Sequence, residues 1–178
     1  MSQAKMYKAT FPKASKAAGF SLVELLVAVL IMGVGVLGVT GLQMVSLQNN
    51  RDALLRSEAL QSAYDIMDRM RVNAAGNYDG VAYGDAPAAP TNCFTNTCTA
   101  TQMAAFDIAV WQCGLGLYNT EDECVTLRDG EILPVLRDQP GLPDGEGSID
   151  IDAGMTTVTI RWTSFDGTQE EITVESQQ

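Results

Sequence analysis

The sequence predicts an α+β chain. A long N-terminal helix, membrane-spanning in its first half and amphipathic in its second, packs against a small antiparallel β-sheet head. Three observations carry this. Twenty-one residues from Leu25 to Val45 hold no charge. From Leu47 to about Ala74 apolar residues recur at helical spacing. Near the C-terminus the pattern turns to period two, in "SIDID", "MTTVTIRW" and "EITVE".

The chain opens on a basic segment. All four lysines (Lys5, Lys8, Lys13, Lys16) fall in the first nineteen residues, which hold no acidic residue. Residues 20–178 carry seven arginines against 22 acidic residues, a formal charge of −15. Such a surface has no basic stripe to release counterions from phosphates, so no nucleic-acid partner is expected. The acidity reads as a solvated, soluble surface. At 178 residues there is room for one modest domain besides the apolar run.

As a helix, Leu25–Val45 spans about 30 Å, roughly one bilayer core. A buried helix of a soluble core shows one apolar stripe, and this run is apolar on every side. A secretory signal peptide has an apolar region of about 7–15 residues and a small-x-small cleavage site beyond it. This run is longer and no Ala-x-Ala site ends it. The lysines before it favour a cytoplasmic N-terminus and an exported C-terminal part. Gly33, Gly35, Gly38 and Gly41 leave the stretch weakly helical, each costing about 1 kcal/mol relative to Ala.

Glu24 is out of place here. A carboxylate in hydrocarbon costs several kcal/mol unless it is paired, and no Lys, Arg or His lies within Phe20–Val45. Its partner must come from elsewhere. One candidate is a new α-amino group, made by a cut after Gly19, which would put Glu24 fifth in the shortened chain. A carboxylate near a helix N-terminus also suits the helix dipole.

Past the apolar run, Leu47, Leu54, Leu60, Tyr64, Met67 and Met70 form the expected core stripe. Asp52–Arg56 and Asp65–Arg69 have i,i+4 spacing, worth about 0.2–0.5 kcal/mol each. The helix should stop between Asn73 and Gly76, at the turn-rich "GNYDG". Residues 76–98 read as loop. Thr99 and Gln102 have capping-box spacing for a second helix, with Met103, Phe106, Val110, Cys113 and Leu117 on one face and Gly114 and Gly116 at its end. A loop holding Pro134, Pro140 and Pro143 follows. Three strands then alternate: Ile149 and Ile151; Val158, Ile160 and Trp162; Ile172 and Val174. Turns at Asp152–Gly154 and Asp166–Gly167 make the three an antiparallel meander on the long helix.

Export places Cys93, Cys98, Cys113 and Cys124 in an oxidising compartment, where disulfides are expected. Three connectivities are possible, and locality favours Cys93–Cys98 with Cys113–Cys124. Zinc suits the set poorly, because the chain has no histidine and no paired Cys-x-x-Cys units. Without histidine neither a Ser-His-Asp nor a Cys-His arrangement can form, and no glycine loop cradles phosphate. Asp144, Glu146, Asp150 and Asp152 could offer oxygens to calcium, but their spacing is not that of an EF-hand loop. No enzyme activity, cofactor or metal is expected.

"GFSLVE", Gly19 to Glu24, ahead of a long apolar helix resembles the type IV prepilin leader and its processing site. The resemblance implies a basic leader 1–19, removed by a prepilin peptidase that cuts after Gly19 and N-methylates Phe20. It implies too that Glu24 sets register against a neighbouring subunit's terminus. Further stretches resemble the minor pilin family called type IV pilus modification protein PilV. They are Gly38 to Gln43, Asn49–Asn50, "AYDIMDRMRVN" from Ala63 to Asn73, and "CTATQMAAFDIAVWQ" from Cys98 to Gln112. Where many major pilins carry a proline, this chain has Gly41.

These resemblances imply a pilin-like fold in three parts: leader 1–19, long helix 20–75, and disulfide-bonded head 76–178. They imply a minor pilin that primes type IV pilus assembly, sits at or near the tip, and supports adhesion and twitching motility. Implied partners are other minor pilins, the major pilin, prepilin peptidase, a tip adhesin, and the inner membrane before assembly. A type II secretion pseudopilin shares the leader. A membrane-anchored exported protein that binds a ligand or DNA is the alternative from another class.

Overall fold

The computed structural model describes residues 19–129 and 141–177. The leader lysines, Pro134 and Pro140 lie outside these residues.

The first helix, α1, runs Leu22–Val72 without interruption. Two compact units divide it, Met1–Met44 and Val45–Gln178. In the first unit every described residue is exposed. The helix continues through Gly33, Gly35, Gly38 and Gly41, where an added Cβ would meet nothing within 4 Å. Thr40 keeps its hydroxyl satisfied inside the apolar run by donating to the Val36 carbonyl at 2.9 Å.

In the second unit, Val45–Val72 of α1 is followed by α2 (Ala100–Leu115), α3 (Asp122–Asp129), β1 (Glu146–Asp152), β2 (Met155–Thr163) and β3 (Gln169–Gln177). The strands form one antiparallel meander in the order β1-β2-β3. Asp152 pairs with Met155 across a two-residue turn. Ala153 and Gly154 both have positive φ, 49° and 83°, as a type I′ hairpin requires. Ser164–Thr168 links β2 to β3, closed by Ser164 N–H to the Thr168 carbonyl at 2.7 Å.

The main core gathers Ala59, Ala63, Ile66, Met67 and Met70 of α1, Trp111 and Leu115 of α2, and the inward residues Ile149, Val158, Ile160, Trp162 and Ile172 of the sheet. This corrects the expected α1 stripe. Met67 and Met70 are buried, but Leu47, Leu54, Leu60 and Tyr64 are exposed, Leu54 by 67%. Apolar residues here cover more than one face, and the buried one runs one position away, through Ala59, Ala63, Ile66 and Met70, which keep steps of four and three residues.

The Thr99 capping box forms as spaced, with both reciprocal bonds present. The expected α2 face goes to a smaller cluster of Phe106, Val110 and Cys113 with Tyr118, Cys124 and Leu127. The other side of α2 enters the main core, so the helix is buried on two faces. Leu117 lies beyond its end and is exposed. Trp111 anchors it by donating to the Ser62 carbonyl of α1 at 3.0 Å. Gly147 makes room for that indole: a Cβ there would lie 2.3 Å from the ring.

Candidate assembly site and the head that carries it

At the start of α1 the Leu25 N–H donates to the Ser21 carbonyl at 3.2 Å, closing the first turn. Glu24 is the acidic residue of that turn, where the unsatisfied N–H groups favour negative charge. Its side chain is exposed, with no hydrogen bond or ion pair to any described residue. Gly19 and Phe20 precede the helix, and Phe20 is 84% exposed. An exposed phenylalanine just before the helix and an unpaired carboxylate in its first turn thus lie four residues apart. Leu22–Val45 beyond them is exposed throughout. Among the described residues α1 is long and apolar enough to cross a membrane.

The head is fastened by polar groups that spacing alone does not reveal. Asp107, buried on α2, accepts from Arg69 Nη1 at 3.0 Å and from the Tyr78 hydroxyl at 2.7 Å. Asn73 donates to Tyr78 Oη at 3.1 Å and to the Ala100 carbonyl at 2.8 Å. Arg69 also holds Asp65 at 2.9 Å, the expected i,i+4 pair. Burial and the Asp107 bond push the Tyr78 hydroxyl up to about 12. The other expected pair is not made: Asp52 accepts from Ser164 Oγ at 2.7 Å instead. The donor comes from the start of the β2–β3 link, where Ser164 is held by its backbone bond to Thr168.

Glu146 is the second buried carboxylate. Arg161 Nε donates to it at 2.6 Å and the Gly84 N–H at 2.9 Å. The Arg161 guanidinium lies 3.9 Å over the Tyr83 ring. Asp144 accepts from Thr163 Oγ1 at 2.9 Å, while Asp150 and Asp152 are exposed on β1. The acidic stretch is thus divided among separate tasks. No group of three or more possible metal ligands occurs among the described residues.

The cysteines form Cys93–Cys98 and Cys113–Cys124, with Cα atoms 5.6 and 5.3 Å apart. The second joins α2 to α3, an element the sequence reading took as loop. Its signal was present: Asp122 and Glu123 in the first turn and Arg128 in the last complement the helix dipole.

Residues 14–40 match the prokaryotic N-terminal methylation motif. Residues 41–109 match the family described as type IV pilin Tt1218. Both support a type IV pilin. The two matches adjoin, so the pilin likeness runs from the basic segment through α1 into α2, and the C-terminal sheet lies outside it. No curated protein and no solved structure matches the chain.

Proposed function

We propose that this chain is a minor pilin of a bacterial type IV pilus, a structural subunit of PilV type that primes assembly and joins the tip complex. The observation that carries the proposal is Glu24, unpaired in the first turn of an exposed apolar helix inside the methylation-motif match. An isolated carboxylate there is a liability in a bilayer and an asset once a neighbour's amine reaches it.

In this reading the leader and α1 hold the precursor in the inner membrane with the head on the periplasmic side. Prepilin peptidase cuts after Gly19 and methylates Phe20. The apolar half of α1 then exchanges lipid for neighbouring helices, and Glu24 meets the terminal amine of an adjacent subunit. The stretches Ala63–Asn73 and Cys98–Gln112 favour the pilus over a type II secretion system. The proposed partners are other minor pilins, the major pilin and a tip adhesin, giving a role in adhesion and twitching motility.

The test is the mass of the N-terminal peptide from protein recovered from native membranes. A chain beginning at Phe20 and heavier by one methyl group is expected. A chain still beginning at Met1, in cells with active peptidase, would overturn the reading.

A further inference from the structure

We propose that the outer edge of β3 is a docking site for an extended strand of another protein, with basic residues at alternate positions. The two edges of the sheet differ. The β1 edge is covered: Ile149 N–H donates to the Val81 carbonyl and Ile151 N–H to Asp79 Oδ1, both at 2.9 Å. Along β3 no backbone group bonds to any described residue outside the ladder with β2.

The register identifies which groups are free. Successive residues of an antiparallel strand bond to alternate sides. Ser164 N–H meets the Thr168 carbonyl, so the bonded pairs continue as Trp162–Glu170, Ile160–Ile172, Val158–Val174 and Thr156–Ser176. Gln169, Glu171, Thr173, Glu175 and Gln177 therefore turn their N–H and C=O groups to the open edge, and all are exposed.

Edge strands are commonly blunted by proline, a bulge, shortness or charged side chains, lysine above all. β3 has no proline, bulge or lysine, and its nine residues keep unbroken register with β2, so its only guard is negative charge. It carries Glu171 and Glu175 on the solvent face instead. Pairing with a second copy would set glutamates against glutamates, which is destabilising, in a chain of formal charge −15 beyond Gly19. A strand with Lys or Arg at alternate positions reverses that sign. Its intervening apolar side chains would lie beside half-buried Val174. Arg71, which reaches Ser176 Oγ at 3.2 Å, is already paired with Asp68 at 2.6 Å and does not neutralise the edge. Backbone bonds supply the attachment and the charge excludes like-charged strands.

The inference names one partner's chemistry for the assembly reading and rests on that reading only for where the partner is met. Docking is tested on the full chain in detergent micelles with an end-blocked peptide of alternating lysine and valine, and a glutamate–valine counterpart. The lysine peptide should bind and slow amide exchange at Glu171, Thr173 and Glu175, leaving Ile172 and Val174 as they were; the glutamate peptide should not bind. Thr173→Pro removes an edge N–H and no backbone bond to β2, though it gives up the 3.2 Å hydroxyl contact with Thr159, and should weaken binding about tenfold. The double variant Glu171→Lys, Glu175→Lys should exchange the preference of the two peptides, and it decides the matter if the proline variant fails to fold. No binding of the lysine peptide, protection elsewhere, or unchanged preference after charge reversal would overturn the proposal. None of these results alters the N-terminal mass, so the two readings fail separately.

Discussion

Asp107 on α2 and Tyr78 in the loop after α1 share a 2.7 Å hydrogen bond inside the head, where both side chains are buried. Arg69 completes the arrangement from the last turn of α1. Three separate segments thus meet at one carboxylate.

Asp107→Ala should destabilise the head by about 1–3 kcal/mol, because it leaves a buried tyrosine hydroxyl without its acceptor. Asp65→Ala removes the exposed partner of the same arginine and should cost about 0.2–0.5 kcal/mol. Denaturant unfolding followed by near-ultraviolet dichroism separates the two. Equal losses would refute the buried network.

Tyr78 gives the head an alkaline limit. Burial first, then the Asp107 bond, raises its hydroxyl from 10.0 to about 12. The unfolded chain ionises first as pH rises, so unfolding becomes more favourable. The contribution is intact below pH 10 and drains away through about pH 12. Burial shifts Tyr118 in the same direction. Tyr78→Phe should be less stable at neutral pH yet show a flatter fall across that window, read by stability measurements alongside tyrosinate absorbance.

The two disulfides should contribute unequally. Cys113–Cys124 spans 11 residues of sequence and Cys93–Cys98 spans 5. Loop-closure entropy assigns about 3 kcal/mol to the longer loop and about 2 kcal/mol to the shorter. Replacing Cys113 and Cys124 together by alanine should therefore lower the unfolding midpoint more than the same change at Cys93 and Cys98. Thermal unfolding of both double variants is the check.

Glu24→Ala should block incorporation into filaments while leaving cleavage after Gly19 largely intact. In the proposed reading, loss of the carboxylate removes its pairing with a neighbour's amine and leaves Gly19 and Phe20, the proposed cleavage-site residues, unchanged. Immunoblots of sheared pili against membrane fractions read incorporation, and normal incorporation would sink the register mechanism.

Much of the fold was legible because local patterns and tertiary demands agreed. The Thr99–Gln102 box, the Ala153–Gly154 turn and the alternation of Val158, Ile160 and Trp162 each encode local geometry within a few residues. The α1 stripe was misplaced because the larger apolar side chains lie on several sides of the helix: Leu54 to Leu60 is a step of six. Ala59, Ala63, Ile66 and Met70 keep steps of four and three, and packing in the head buries that side. Asp107 was unreadable for a related reason. A single carboxylate in an acidic chain carries no signal until Arg69 and Tyr78 arrive from elsewhere.

What the sequence by itself determined is what depends on neighbours along the chain: the apolar run, the isolated charge at Glu24, the helix cap, the strands and their turns. These follow from spacing, hydropathy and backbone preference. The tertiary structure alone decided which face of α1 is buried, where Asp107 and Glu146 find their partners, and that one sheet edge is covered by Asp79 and Val81 while the other bonds to no described residue. Those outcomes depend on segments far apart in sequence meeting at a few ångströms, a distance no local pattern records.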